Sequence, residues 1–117
     1  MRVMICGSRT VQDKDVKIVH DRIALLNPEE DVIMHGGATG IDTLAQIACG
    51  RPSDPMPLCY PLRPINPNNK AHYLYRNVEL ITMCDKVIAF WDGKSTGTKF
   101  VIDYAKARGK PIEVILI

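Results

Sequence analysis

Short apolar runs alternate along this chain with longer segments whose apolar residues repeat at helical spacing. A short apolar run predicts a strand buried on both faces, and a repeat of three to four residues predicts an amphipathic helix. Nine such elements follow one another in strict strand–helix order. The predicted strands are Arg2–Cys6, Val32–His35, Pro57–Leu62, Lys86–Trp91 and Ile112–Ile117, and the predicted helices are Asp13–Leu26, Asp42–Cys49, Ala71–Met83 and Phe100–Arg108.

This alternation predicts an α/β fold, a Rossmann-like three-layer α/β/α arrangement with a mostly parallel five-stranded sheet. With 117 residues, of which 46% are hydrophobic, we expect one nucleotide-binding domain over residues 1–117. The segment between 51 and 69 is rich in proline, and after the strand predicted within it we expect a long irregular loop up to Lys70. In such sheets, ligands bind beyond the carboxyl ends of the strands.

Three polar, glycine-containing loops meet at that edge of the predicted sheet, and they hold Gly7–Thr10, Gly36–Asp42 and Asp92–Thr98. The adjacent glycines of the second loop permit positive φ and expose consecutive N–H groups to an anion. The alternative is an ordinary tight turn with Asp42 in the first turn of the next helix. The third loop offers hydroxyls and amides that suit phosphate, or else simple N-capping.

Two familiar nucleotide motifs are absent. A P-loop needs a glycine five residues before Gly93-Lys94, and Ile88 stands there, inside a strand. The dinucleotide fingerprint needs three spaced glycines, and the first loop has only Gly7. In that loop, Arg9 suits bidentate binding of a phosphate.

Four motifs occur in an order that is typical of one superfamily: Gly7-Ser8-Arg9, Gly36-Gly37-Ala38-x-Gly40-x-Asp42, Arg76-Asn77 and Trp91-Asp92-Gly93-x-Ser95-x-Gly97-Thr98. Over nearly its whole length the chain resembles the SLOG superfamily, and within it the small YspA/YpsA-related group. The resemblance implies a Rossmann-like domain that binds nucleotides or nucleotide-derived ligands in a sensing or sequestering role. The superfamily also includes the LOG phosphoribohydrolases and the DprA proteins, which bind single-stranded DNA.

The resemblance leaves an enzymatic alternative open, the cleavage of an N-glycosidic bond in a nucleoside monophosphate. LOG enzymes carry a glutamate in their second glycine motif, and the matching position here is Val101. A valine cannot stabilise a developing positive charge or orient water, as a carboxylate does. Asp42 or Asp92 would have to replace that glutamate in a different geometry.

The ligand-binding residues that we expect come from all four motifs. They are Gly7, Ser8, Arg9, Gly36, Gly37, Thr39, Gly40, Asp42, Arg76, Asn77, Asp92, Gly93, Ser95, Thr96, Gly97 and Thr98.

The expected partner is a nucleotide or a nucleotide-derived small molecule. We expect no cofactor and no membrane contact. We also expect no metal, because the four cysteines match no zinc spacing. We interpret these cysteines as reduced thiols and expect a cytoplasmic location. A net charge of +2 and two strand-end aromatic residues argue against nucleic acid. Because SLOG relatives often dimerise beside the pocket, we expect a homodimer or higher oligomer through the third helix, with Tyr73 and Tyr75.

Overall fold

Five parallel strands form one sheet in the computed structural model, which describes residues 1–50, 56–64, 66 and 68–117. The order across the sheet is β3-β2-β1-β4-β5. This arrangement confirms the predicted Rossmann-like α/β fold. The strands are β1 (Arg2–Gly7), β2 (Val32–His35), β3 (Leu58–Pro61), β4 (Lys86–Trp91) and β5 (Ile112–Leu116).

Four helices cover the two faces of the sheet in pairs. Alternate side chains of β1 point to opposite faces, so Val3 enters one core cluster and Met4 the other. The cluster that contains Val3 is completed by the first two helices, and the cluster that contains Met4 by the last two. The helices are α1 (Asp13–Ala24), α2 (Ile41–Cys49), α3 (Lys70–Met83) and α4 (Thr96–Ala107).

The strand order reverses between β1 and β4. From β1 the chain moves outward to β2 and β3, and it then crosses back to β4 on the other side of β1. The two central strands run in register up to the pair formed by Gly7 and Phe90. The loops that leave them turn toward opposite faces, which opens a crevice at the carboxyl edge of the sheet.

The inward face of α3 differs from the predicted one. We expected Leu74, Val78, Ile81 and Thr82 to face the core, but the buried residues are Leu80 and Ile81. Leu74 is 40% exposed, and the Thr82 hydroxyl donates to the Val78 carbonyl oxygen. Both sets fit helical spacing, and packing on β1 and α4 selects the one that contains Leu80.

The boundaries of other elements shift by a few residues. α4 begins at Thr96, four residues before the predicted Phe100. The residues in this first turn are not good helix formers, but the packing of the later residues of α4 on the core stabilises the whole helix. The irregular loop predicted between Leu62 and Lys70 falls partly outside the described residues, at 65 and 67. Across the described ranges, no helix has both the length and the apolar character needed to span a membrane.

Candidate functional site

The loop after β4 folds onto its own first residue. The Asp92 carboxylate oxygen Oδ1 accepts hydrogen bonds from the backbone N–H groups of Lys94 and Ser95, both at 2.8 Å. The bond from Ser95 is the main reason that the pKa of Asp92 lies below its usual range. Gly93 turns the chain with a φ of 80°, in the left-handed region that favours glycine. Asp92 therefore takes the N–H groups of Lys94 and Ser95, and it leaves the N–H groups of the residues after Ser95 without a partner in this turn.

The first turn of α4 carries backbone N–H groups that have no partner inside the helix. Its first ladder bond runs from the Lys99 N–H to the Ser95 carbonyl oxygen at 3.2 Å, so the three residues before Lys99 precede the ladder. The Ser95 side chain makes no capping bond, and its Oγ lies 3.3 Å from the Thr98 hydroxyl oxygen. A Cβ placed on Gly97 would meet nothing within 4 Å. An anion can therefore approach this helix end closely.

Arg9 follows β1 and lies over the ring of Tyr73 from α3. The guanidinium carbon is 4.7 Å from the centroid of the ring, which is a cation–π contact. Within the described part of the chain, the guanidinium forms no ion pair. The tyrosine ring thus orients a positive charge that is still available to a ligand.

These groups meet in a small pocket of about 60 Å3 at the carboxyl edge of the sheet. A cavity needs about 10–15 Å3 of such space to hold one water, so this pocket has room for a small group of a few heavy atoms. Its walls come from β1, from the turns after β1 and β2, from the first turn of α2, and from α3 and α4. The lining residues are Cys6, Gly7, Arg9, Ala38, Asp42, Tyr73, Asn77, Ser95, Gly97, Thr98 and Val101.

A wider groove of about 420 Å3 continues from this pocket between α3 and α4. Arg9, Tyr73, Asn77 and Gly97 line both spaces. The groove therefore joins two cationic side chains to two aromatic rings. The residues that line only the groove are Lys70, Leu74, Thr96 and Phe100.

The turn after β2 is closed on itself. The Asp42 carboxylate oxygen Oδ2 accepts hydrogen bonds from the Gly36 N–H at 3.2 Å and from the Ala38 N–H at 3.1 Å. Between them, the Gly37 N–H donates to His35 Nδ1 at 3.0 Å. Three consecutive N–H groups are thus used inside the turn, and the anion that two of them hold is the side chain of Asp42. Of the two alternatives, the ordinary turn describes this loop.

A buried histidine completes that closure. Because His35 Nδ1 accepts the Gly37 N–H, the ring proton lies on Nε2, which donates to the Gln46 side-chain oxygen at 2.8 Å. Burial holds the pKa of His35 below its usual range, and the nearby Arg63 guanidinium acts in the same direction. The bond to Gln46 partly offsets these effects. His35 is therefore a neutral structural group at neutral pH.

Asp42 both stabilises its turn and forms part of the pocket wall. Its side chain is almost fully buried, with 7% of the residue exposed. Burial raises the pKa of Asp42 to about 7, although the N–H groups of Ala38 and Gly36 and the charge of Arg9 favour the ionised form. Near neutral pH, the pocket thus contains a carboxyl group that exchanges its proton.

Ser8 and Gly40 connect the loop after β1 to the start of α2, and neither lines the pocket. The Ser8 N–H donates to the Phe90 carbonyl oxygen at 3.2 Å, and the Ser8 carbonyl accepts the Ile41 N–H at 3.1 Å. Gly40 has a φ of 87°, and a Cβ there would overlap the Ser8 carbonyl oxygen. Glycine is needed at this position because two backbones approach each other closely.

The structure assembles one part of the predicted site and separates the other. Gly7, Arg9, Asp42, Asn77, Ser95, Thr96, Gly97 and Thr98 line the pocket or the groove. The predicted residues that line neither of them are Ser8, Gly36, Gly37, Thr39, Gly40, Arg76, Asp92 and Gly93.

Arg76 departs furthest from its predicted place. Its Nη1 pairs with the Glu79 oxygen Oε2 at 2.9 Å, and with His72 and Tyr75 it lines a separate cavity on α3. Successive side chains of a helix point about 100° apart. When Asn77 faces the pocket, the side chain before it therefore faces another side of the helix.

Sequence reasoning missed three side chains of the groove as ligand contacts: Tyr73, Phe100 and Lys70. Tyr73 stands four residues before Asn77, and Phe100 stands three residues after Gly97. Residues three or four apart share one face of a helix, so these spacings would have predicted both contacts. Lys70 carries no such signal, because it lies in the first turn of α3, before the predicted start of that helix.

Val101 occupies the position that the resemblance matches to the glutamate of LOG enzymes, and it lies in the pocket wall with 1% exposure. A valine at this point leaves the wall apolar where a hydrolase would place a carboxylate.

The fold is similar to that of three solved structures. A structure of DNA processing protein A from Helicobacter pylori, described for its single-stranded DNA binding mode, matches with a TM-score of 0.78 and 24% identity over 97% of this chain and 64% of that chain. DprA from Streptococcus pneumoniae matches with a TM-score of 0.82 and 22% identity over 97% and 49%. The structural-genomics target TM1055 matches with a TM-score of 0.70 and 16% identity over 95% and 71%. No family model and no curated protein sequence matches the chain.

These similarities show the fold. The chain spans less than two thirds of the length of either DprA chain. Kinship to the SLOG superfamily stays a prediction, because each of these structures is no more than 24% identical to the chain. Membership of the YspA/YpsA-related group stays a prediction.

The expectation against nucleic acid is wrong, because two of the neighbours are DprA proteins and one is described for binding single-stranded DNA. That expectation used the net charge of the whole chain and the aromatic residues at strand ends. The structure instead places Arg9, Lys70, Tyr73 and Phe100 together in one groove. Net charge averages over the surface and cannot show such a local cluster.

Proposed function

We propose that this protein binds a nucleotide or nucleotide-derived ligand through a phosphate group at the start of α4. The observation that carries the proposal is the open first turn of α4 in the same small pocket as the Arg9 guanidinium. Free N–H groups at a helix start and a guanidinium both favour an anion, and phosphate accepts several hydrogen bonds at once. The Ser95 and Thr98 hydroxyls add two donors at the same place.

The groove supports the second half of the proposal, a nucleoside attached to that phosphate. Its volume of about 420 Å3 suits a small molecule, and Tyr73 and Phe100 offer surfaces on which a base can stack. The Asn77 amide, which lines both spaces, can donate to and accept from a ribose or a base. The proposed contact residues are Gly7, Arg9, Asp42, Asn77, Ser95, Thr96, Gly97 and Thr98.

Calorimetric titration with a panel of nucleotides tests this proposal. The panel contains a nucleoside monophosphate, ADP-ribose, a cyclic mononucleotide and a dinucleotide. Arg9→Gln removes the charge, and Gly97→Val fills the space at the helix end. We expect each variant to weaken binding about tenfold or more. Arg9→Gln loses a charge-assisted bond, which contributes about 1.5–3 kcal/mol, and Gly97→Val blocks the approach of the phosphate to the helix end. Arg76→Gln is the matched control, because that arginine lies outside the pocket.

Two results would contradict the proposal. One is the absence of binding by the wild type to every member of the panel. The other is unchanged affinity in both Arg9→Gln and Gly97→Val, which would place any bound ligand elsewhere on the surface.

Single-stranded DNA is a second candidate ligand for the same groove. The specific observation is the combination of two cations and two aromatic rings along an open channel, in a fold that DprA shares. Proteins that bind single strands combine a basic groove with aromatic rings on which bases stack. The phosphate site at α4 would then hold one phosphate of the strand.

Fluorescence anisotropy with a labelled oligothymidylate separates the two candidates. If a strand is the ligand, affinity falls steeply with salt, and Lys70→Gln lowers both the affinity and the salt slope. If a free nucleotide is the ligand, the oligomer binds no more tightly than a dinucleotide, and Lys70→Gln has a small effect.

We propose a cytoplasmic location on the state of the cysteines. All four are free thiols, and a reducing compartment keeps them so. Fractionation of cells that produce the tagged protein tests this directly. The expected homodimer stays a prediction, which light scattering of the purified chain can measure.

A further inference from the structure

The small pocket holds one positive and one negative side chain within the same walls. Arg9 and Asp42 both line it, and among its lining residues these are the two whose side chains carry charge near neutral pH. The start of α4 adds about half a positive charge. Because the pocket has a volume of only about 60 Å3, a phosphate seated there lies beside the Asp42 carboxyl group.

Asp42 cannot turn away from such a ligand. Its oxygen Oδ2 is held by two backbone N–H groups, from Gly36 and Ala38, so the side chain is fixed in the wall. The other groups that interact with its charge are Arg9 in the loop after β1, the Cys6 thiol in β1 and the Cys59 thiol in β3. Arg9 is the one cation among them, and it also has to serve the ligand.

The affinity of the pocket for a phosphate group therefore depends on the charge of that group. A phosphate monoester, which loses its second proton near pH 6, carries close to two negative charges above about pH 7, whereas a phosphodiester carries one. One guanidinium and a helix end can balance a single negative charge, but the second charge of a monoester faces an ionised carboxylate.

We propose that Asp42 makes this pocket selective for a phosphodiester over a terminal phosphomonoester, so that the ligand is a nucleotide whose bound phosphate is esterified on both sides. This inference rests on the proposed phosphate site and narrows its ligand class. A cyclic nucleotide, a dinucleotide and a nucleic-acid strand all share this chemistry.

The pocket opens into a larger space that can take an ester substituent. The groove of about 420 Å3 continues from it past Tyr73 and Gly97, and both spaces share Arg9 and Asn77. The groove can hold the nucleoside on one ester oxygen, and the open side of the pocket leaves the other ester oxygen to a small group such as methyl.

A pair of probes that differ by one methyl group tests the selectivity. Adenosine 5′-monophosphate and its phosphate methyl ester are titrated into the wild type and Asp42→Asn by calorimetry at about pH 8.5, where the monoester is a dianion. We expect the wild type to bind the methyl ester about tenfold more tightly, because like charges at contact distance repel strongly in a partly buried site. In Asp42→Asn the preference falls to about threefold or less. Asparagine keeps an oxygen that can accept from Gly36 and Ala38.

Asp103→Asn is the matched control, because Asp103 lies on α4 and pairs with Lys99 away from the pocket. It removes the same charge and should keep the wild-type preference. A second measurement needs no variant. The methyl ester does not titrate between about pH 6 and pH 8.5, so a fall in its affinity across that range reports ionisation of the protein beside the phosphate.

The outcomes separate this inference from the proposed function. Equal binding of both probes by the wild type at high pH overturns the selectivity and leaves the phosphate site standing. Failure of both probes to bind removes the phosphate site itself, and the selectivity with it. Where the selectivity holds, a dinucleoside monophosphate and an oligothymidylate in the same assay distinguish a small ligand from a strand.

Discussion

The two glycine turns of this protein look alike in sequence and differ in where their aspartate stands. In the turn after β2, Asp42 follows the glycines and reaches back, so that its carboxylate takes the N–H groups of Gly36 and Ala38. In the turn after β4, Asp92 precedes the glycine and takes the N–H groups that come directly after it. The N–H groups of the first turn are therefore used inside that turn, whereas the second turn leads into the first turn of α4, whose N–H groups are free.

This difference shows that a glycine-rich turn is not by itself a phosphate cradle. Glycine permits the backbone path, but the nearest acceptor decides which N–H groups stay free. An internal carboxylate that lies beyond the turn competes with any external anion. The same reasoning predicts how each turn responds when its aspartate or its glycine is changed.

The largest effect should come from removing the charge inside the closed turn. Burial raises the pKa of Asp42 from 3.8 to about 7, so the folded chain binds this proton more tightly than the unfolded chain does. Unfolding then releases a proton between those values, and the stability of the wild type falls as pH rises from about 4 to 7. Over that range, we expect the free energy of unfolding of Asp42→Asn to rise by about 4 kcal/mol relative to that of the wild type.

Urea unfolding of both proteins at several pH values measures this gain. Asp103→Asn removes a carboxylate from an exposed position on α4 and is the matched control, which should not show a gain of this size. A constant difference between Asp42→Asn and the wild type would show that Asp42 titrates in the folded protein as it does in the unfolded chain.

The next largest difference should be between Gly40 and Gly93, two of the glycines with positive φ. Gly40→Ala combines an unfavourable φ with overlap of the Ser8 carbonyl oxygen, and we expect a loss of about 3 kcal/mol or more. Gly93→Ala has a similar φ but nothing within 4 Å of the added Cβ, so its loss should be about 1–2 kcal/mol. Chemical denaturation of the two variants measures the difference. Equal losses would mean that the loop after β1 yields to the added methyl group at little cost.

A smaller effect should come from the histidine that completes the closed turn. The pKa of His35 is lowered in the folded protein, so the unfolded chain binds this proton first and stability falls as pH drops below about 6.5. Protonation of Nδ1 would also break its bond with the Gly37 N–H. In the Asp42→Asn background, we expect the free energy of unfolding to fall by about 1 kcal/mol as the solution is acidified. Adding His35→Asn should remove this fall. Unfolding curves between about pH 5 and 7 provide the measurement, and an unchanged slope in the double variant would contradict it.

The sequence predicted the fold well, because each element carries its own local signal. The strands that flank the crevice, such as Lys86–Trp91, are apolar runs that need no tertiary information to recognise. The faces of the helices were harder to predict. On α3 two different sets of residues fit helical spacing, and only packing on the sheet decides between Leu74 and Leu80.

The site was predicted in part for a related reason. Motif positions that lie on the open helix, such as Gly97 and Thr98, are in the pocket because their place follows from the topology. The first glycine turn was assigned to a ligand because the bond from Gly36 to Asp42 is a matter of side-chain direction, which spacing does not reveal. The groove was missed because its rings come from two helices that are distant in sequence.

The smallest change in stability should accompany a clear change in binding, at the N-cap of α4. A serine N-cap usually contributes about 1 kcal/mol because its hydroxyl accepts a backbone N–H. The Ser95 hydroxyl makes no such bond and lies beside the Thr98 hydroxyl instead. Ser95→Ala should therefore cost less than about 0.5 kcal/mol in urea unfolding, yet weaken binding of a nucleotide phosphate several-fold. Thr43→Ala, in the first turn of α2, is the counterpart on the closed side. The Thr43 hydroxyl donates to the Ala38 carbonyl oxygen and does not itself line the pocket, so this variant should lower the affinity much less than Ser95→Ala does. If Ser95→Ala instead lost a full capping contribution and kept its affinity, the start of α4 would be a capped helix end like any other, and the contrast between the two turns would disappear.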